Sequence, residues 1–277
     1  MRVHAIQTGT VAVKEHQRHG RRGRGYLRLL NTLLDPKWTE PLPIYAWVIE
    51  HPEGIIVIDT GETSRVAEPG YFPVWHPYFK FGCREWVRPE EEIGPQLKAL
   101  GIGPDDVRWV VLTHLHTDHA GGLYHFPHSE FVLSRSEYAM ASGFMGRVRG
   151  FLPHQWPGWF SPTLIEYGSH AVGPFEQSFT LTQTGDVHLV PTEGHTAGHL
   201  SVVFEDEETT YFFAGDVSYT DQTMLDQIID GVTLDFKAAQ KSLACTRAFV
   251  EATPTIYLPS HDPGSARRLA AHEVTSV

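Results

Sequence analysis

The short apolar runs of this chain end on residues that can do chemistry. Val107–Leu112 runs straight into Thr113-His114-Leu115-His116-Thr117-Asp118-His119-Ala120-Gly121-Gly122. Val187–Val190 leads to Thr192-Glu193-Gly194-His195, Tyr211-Phe212-Phe213-Ala214-Gly215 leads to Asp216, and Ile256-Tyr257-Leu258-Pro259-Ser260 leads to His261. Apolar runs this short, bounded by turn residues, read as strands buried on both faces. None approaches the roughly 20 apolar residues of a membrane-spanning helix. Strands of this kind must be stacked and covered, so the fold is confined to the layered classes.

Two more strand-like runs, 44–50 and 55–58, are joined by the turn residues His51-Pro52-Glu53-Gly54, and Asp59-Thr60-Gly61 closes the second. A helix is expected up to about Leu100, ended by Gly101, and a further strand over Glu130–Leu133. Short strands follow near 179–183, 187–190, 200–205 and 209–214. Asp235 is placed to cap a helix reaching about Ala252, with Phe236, Ala239, Leu243 and Val250 at helical spacing, before a last strand at Thr255–Leu258. Two strand-rich halves with helices between them fit packed sheets with helices outside, an α/β layered domain. Its 277 residues are read as a single domain over 1–277, with insertions near 62–93 and 138–160, since layered α/β folds often exceed the usual domain length of roughly 150 residues.

Charge removes several functions. Lys and Arg number 22 against 33 Asp and Glu, a net of −11. The basic N-terminal arm near 14–28 offsets this locally. Residues 1–28 carry seven basic side chains and one acid, +6, which leaves −17 on the rest. Such a chain is not expected to bind nucleic acid or an anionic membrane. Cys83 and Cys245 cannot build a disulfide framework and form no C-x-x-C pair. The start, Met1-Arg2-Val3-His4-Ala5, has no apolar stretch of signal-peptide length. The sequence reads as soluble and cytoplasmic. Against two cysteines stand 17 histidines, an excess that suits metal binding or acid–base chemistry.

The spacing narrows this. In extended chain, residues i and i+2 project to one side, so His114 and His116 can converge on one ion. A turn after Thr117 would aim Asp118 and His119 at a neighbouring point. His195, Asp216 and His261 each occupy a similar strand-end position. Alone, each would read as a capping or solvated residue. Together they make five imidazoles and two carboxylates, a set suited to two divalent ions. Zinc is the default, with manganese, iron or cobalt as alternatives.

Residues 113–119, Gly194-His195, Gly215-Asp216 and Ser260-His261 resemble the metallo-β-lactamase superfamily in order and spacing. The resemblance implies a four-layer αββα sandwich with the metals at one edge of two sheets. It implies that His114, His116 and His195 hold the first metal and that Asp118, His119 and His261 hold the second. Asp216 would bridge them. Within the superfamily, Gly215-Asp216-Val217-Ser218-Tyr219-Thr220 is similar to the N-acyl-homoserine lactonases, where a tyrosine three residues after the bridging aspartate lies beside the substrate carbonyl. An ordinary packed tyrosine is the plainer reading of Tyr219. The resemblance implies a metal-dependent hydrolase that opens the ring of an acyl lactone by attack of a metal-bridging hydroxide. Asp118 would carry the proton and Tyr219 would stabilise the oxyanion. A glyoxalase-II-like thioesterase or a phosphotriesterase-type hydrolase is the alternative.

Two segments keep two readings each. The aromatic stretches 71–86 and 138–160 are either core packing or an apolar wall for an acyl chain. The run Arg18-His19-Gly20-Arg21-Arg22-Gly23-Arg24-Gly25 is either a nucleic-acid patch or a glycine-rich surface loop or subunit-contact arm, and so short a run favours the second. Such an arm would allow a homodimer.

Overall fold

A computed structural model describes residues 1–20, 26–206 and 209–277. Seven strands form the first sheet. They are β1 (Arg2–Val13), β2 (Leu42–Glu50), β3 (Ile55–Ile58), β4 (Cys83–Trp86), β5 (Val107–Val111), β6 (Glu130–Ser134) and β7 (Thr163–Ile165), in the order β4-β1-β2-β3-β5-β6-β7. The second sheet holds β8 (Phe179–Thr180), β9 (Val187–Pro191), β10 (Leu200–Asp206), β11 (Thr209–Gly215) and β12 (Thr255–Pro259), in the order β12-β11-β10-β9-β8. β3, β5, β6 and β7 run parallel to one another, and so do β11 and β12.

Alternation along the strands builds the layers. On β2, Tyr45, Trp47 and Ile49 face the second sheet and pack with Leu189, Val202, Phe204 and Phe213. Trp47 meets Phe213 at 5.7 Å between ring centroids. The intervening Ala46 and Val48 face outward and join Ile93 and Leu97 of the helix Ile93–Ala99. Val203, Phe212 and Tyr257 face outward from the second sheet onto Leu243, Phe249 and Val250 of the helix Phe236–Ala252. The centre of each sheet therefore buries both faces, and β2 and β3 are almost wholly apolar rather than alternating with polar residues. The result is helix, sheet, sheet, helix: the αββα arrangement.

Most expected strands and the capped helix are present within a residue or two. Asp235 accepts hydrogen bonds from the amides of Lys237 and Ala238 at 2.9 and 3.0 Å. Sequence reading assigned no strand before residue 44, yet β1 is the longest strand among the described residues. Its pattern is interrupted at Gln7–Thr10, where the register with β2 shifts, so neither a clean period of two nor a continuous apolar run marks it. The 62–93 insertion contributes the edge strand β4 and three short helical segments, Ser64–Ala67, Pro77–Phe81 and Pro89–Glu91. Residues 138–160 are partly core: Ala141, Phe151 and Phe160 are buried in the cluster under the first sheet. Among the described residues, no helix is long and apolar enough to cross a membrane.

Of the basic run, residues 21–25 lie outside the described residues. Its neighbours form the turn Glu15–Arg18 and the helix Tyr26–Leu33. Arg18 is ion-paired to Glu15 and Glu40 at 3.1 and 2.7 Å, so this arginine is already partnered by acids of its own chain.

Candidate active site

The seven predicted residues lie together where the parallel strands of both sheets end. The loop that follows β5 carries His114 and His116, whose ring nitrogens meet at 3.1 Å, while Leu115 is buried in the core. The turn Thr117–Ala120 then swings Asp118 and His119 round. The turn is docked on the end of β3: the Thr60 amide donates to the His119 carbonyl at 2.7 Å, and the Gly121 amide to that of Gly61 at 2.8 Å. The β9–β10 loop brings His195, and the ends of β11 and β12 bring Asp216 and His261. Gly215 turns the chain with φ +55°, and a Cβ there would stand 2.7 Å from His199 Nε2. That space is used, because the Asp216 amide donates to His199 Nε2 at 2.9 Å.

Three groups of donor atoms could each surround a cation. They are His114, His116 and His195; His114, His119 and Asp216; and Asp118, His119 and His261, with the atoms of each group within 4.8 Å of one another. His116 Nδ1 lies 3.1 Å from His114 Nε2 and 3.0 Å from His195 Nε2. Asp216 Oδ1 is 3.3 Å from His119 Nε2 and 3.4 Å from His261 Nε2, and its Oδ2 is 3.5 Å from His195 Nε2. Asp118 Oδ2 is 3.4 Å from His261 Nε2. Asp216 therefore touches both ends of the cluster.

Three of the other ring nitrogens are held from outside the cluster. His119 Nδ1 is 2.8 Å from Asp59 Oδ2, His195 Nδ1 is 3.2 Å from Asp230 Oδ2, and His261 Nδ1 is 2.9 Å from the Pro43 carbonyl. Each of these acceptors fixes the proton on Nδ1 and leaves the Nε2 lone pair pointing inward. His119 Nε2 and Asp216 Oδ1 are buried without a hydrogen-bond partner among the described residues. Converging lone pairs and orphaned buried acceptors are costly unless a cation meets them. The residues present fit two divalent ions.

Electrostatics agree. Burial and the neighbouring His119 and His116 rings hold His114 well below its usual pKa, and burial with His195 beside it lowers His116 to about 3. Both stay neutral and able to bind metal. Burial opposes charge on His119, His195 and His261 as well, but nearby carboxylates outweigh it. Asp216, Asp59 and Asp118 raise His119; Asp230 and Asp216 raise His195; Asp216 and Asp118 raise His261. Protons thus compete with metal at these three rings. Asp216, though buried, is held well below the usual carboxylate range by His261 and His119.

Tyr219 is buried, its ring against His261 at 5.6 Å with an interplanar angle of 27°. Burial and the charges of Asp216 and Asp230 push its hydroxyl well above its usual pKa, so it stays protonated. Four supporting residues escaped the motif reading. Asp59 closes β3 and also accepts from the Thr113 amide at 2.7 Å. Glu137, fully buried, ties two ligand loops together by accepting from the Leu115 and Gly198 amides at 3.0 and 3.1 Å. Asp230 orients His195, and Gln17 reaches the Tyr219 hydroxyl at 2.7 Å. Only Asp59 carried a signal, as an acid at a strand end.

A fold of this kind with such a donor cluster is that of a metal-dependent hydrolase. The chain belongs to the metallo-β-lactamase superfamily, whose family model matches residues 39–261. Among its relatives is the N-acyl homoserine lactonase of Bacillus thuringiensis, 30% identical over 204 residues, 72% of this chain and 73% of the relative. The N-acyl homoserine lactonase AttM of Agrobacterium fabrum is 26% identical over 278 residues, 95% of this chain and 94% of its own. The fold is shared with a solved N-acyl homoserine lactone hydrolase that carries N-hexanoyl-L-homoserine at its metal centre (TM-score 0.76, 22% identity, 96% of this chain and 94% of that one). It is shared also with the dizinc lactonase AidC (TM-score 0.65, 16% identity, 94% and 87%).

Proposed function

We propose that the protein opens the lactone ring of N-acyl homoserine lactones by hydrolysis. We assign His114, His116 and His195 to one metal, Asp118, His119 and His261 to the other, and Asp216 as the bridge, with zinc the default ion. When bound, two divalent ions would supply a water acidified to a pKa of roughly 7 and a Lewis acid for the carbonyl.

The chain's own groups account for the remaining needs of the reaction. Tyr219, protonated and buried among carboxylates, donates a hydrogen bond to the carbonyl oxygen as negative charge develops there. Asp118 is partly exposed at the centre's edge. It takes a proton from the attacking water and returns it to the ring oxygen as the C–O bond breaks, giving an N-acyl homoserine. The two aromatic segments carry exposed apolar residues. His76 Nε2 lies 3.0 Å from the Val148 carbonyl and so joins the 71–86 segment to the 138–160 segment. Next to this junction Val74 and Phe144 are 83% and 87% exposed. We read these as the wall for an acyl chain, with Phe151, stacked on His116 at 4.9 Å, as its inner end.

The observation that carries the lactone reading is Tyr219, three residues beyond Asp216 and packed on His261. Metal-loaded protein should be offered an acyl-homoserine lactone, S-lactoylglutathione and an aryl phosphotriester, with acid release followed. Lactone turnover that dominates, and that falls in Tyr219→Phe without loss of metal, is the expected result. Dominant turnover of either other ester, or unchanged kinetics in Tyr219→Phe, would overturn it.

A further inference from the structure

Gln17 has no place in the family motif, yet it is 2% exposed and points into the site. Its Nε2 donates to two tyrosine hydroxyls at once, Tyr219 at 2.7 Å and Tyr78 at 2.8 Å. An amide NH2 has two protons to give, and both are used here. Each hydroxyl thus accepts through a lone pair and keeps its own proton. Neither hydroxyl donates to another group among the described residues. Were the amide turned round, its oxygen would take those protons instead.

The mount is rigid. The Gln17 carbonyl accepts from the Gly231 amide at 2.8 Å, and a Cβ on Gly231 would stand 2.3 Å from the His16 carbonyl oxygen. Asp230, the adjacent residue, holds His195. The segment that carries Gln17 is therefore clamped to the turn that orients a candidate metal ligand.

We propose that Gln17 is a positioning residue: by donating to Tyr219 it leaves the tyrosine proton free and aims it at the carbonyl oxygen of the substrate. The proposal rests on the lactonase reading. Because the Tyr219 hydroxyl accepts from Gln17 and keeps its own proton, the direction of that proton is what the contact controls. Tyr78 takes the second proton of the same Nε2, while Oε1 is buried without a partner among the described residues.

The test is a double-mutant cycle on the metal-loaded enzyme, with metal content measured for every variant. Gln17→Met should lower kcat about tenfold with KM within about twofold, the effect of one hydrogen bond felt in the transition state. In a Tyr219→Phe background the same change should cost less than about twofold, because a residue acting through another is non-additive with it. Gln17→Glu should fall to the level of Tyr219→Phe, since a carboxylate can only accept and would take the tyrosine proton. Equal losses from Gln17→Met with and without Tyr219 would overturn the proposal and leave a packing role. A readout independent of turnover is the side-chain amide signal of 15N-labelled Gln17 in the metal-loaded protein. It should shift in Tyr219→Phe, and an unmoved signal would also overturn the proposal. Absence of lactone turnover in the wild type would instead defeat the lactonase reading, while the amide signal still tests the contact.

Discussion

Asp59→Asn isolates one hydrogen bond that controls a candidate metal ligand. Asp59 Oδ2 lies 2.8 Å from His119 Nδ1, and its Oδ1 accepts from the Thr113 amide at 2.7 Å. Asparagine keeps the volume and tolerates the left-handed backbone at this position, φ +59°. It has one oxygen, however. If that oxygen serves the Thr113 amide, the NH2 faces His119 Nδ1, and the ring must move its proton to Nε2. That nitrogen faces Asp216 Oδ1 at 3.3 Å, and once protonated it cannot bind a metal. A hydrogen bond to a charged group contributes about 1.5–3 kcal/mol. Metal affinity should therefore drop roughly 10- to 100-fold, the usual range for losing such a partner. Titration of the apoprotein with zinc against a competing chelator measures this directly. Asp59→Asn that folds with unchanged melting behaviour and fills both sites with wild-type affinity would refute the reasoning.

Two further outcomes follow from packing and charge. Gly194 has φ +140°, and a Cβ there would stand 2.4 Å from the Ala239 backbone in the helix Phe236–Ala252. Gly194→Ala should destabilise the protein by about 3 kcal/mol through strain and displacement, seen as a fall of roughly 6–12 °C in thermal melting. At the opposite end of the strands, burial raises the Asp186 carboxyl, but the hydroxyls of Thr182 and Thr184 and the His51 ring bring it down to about 2. A depressed carboxyl stabilises the fold above its unfolded pKa, roughly 3.9, and the stabilisation is lost as pH falls towards the folded value. Asp186→Asn should thus cost about 1 kcal/mol at pH 7, after allowance for solvent screening, and nearly nothing at roughly pH 2. Urea melts of both proteins at the two pH values check it.

How much of this was legible in the chain depends on range. His114, His116, Asp118 and His119 follow one strand within six residues, and the local geometry of strand and turn is enough to bring them together. β1 left no such trace because Gly9, with φ +126°, and a register shift break its period. The aromatic segments could not be sorted from composition either. Phe151 and Phe144 lie seven residues apart, yet one is buried and the other exposed. That difference depends on tertiary packing: Phe151 joins the cluster under the first sheet and Phe144 does not.

By itself, the sequence picked out the seven candidate donors and the layered fold, because buried strands and polar residues at their ends are local patterns. Tertiary structure alone decided what those donors can do. Asp59 meets His119 across 60 positions, Asp230 meets His195 across 35, and Gln17 meets Tyr219 across 202. Such pairs leave no spacing rule. They exist because packing the two sheets brings distant loops to one edge, where each inward lone pair and each hydroxyl proton takes its direction from a neighbour remote in the chain.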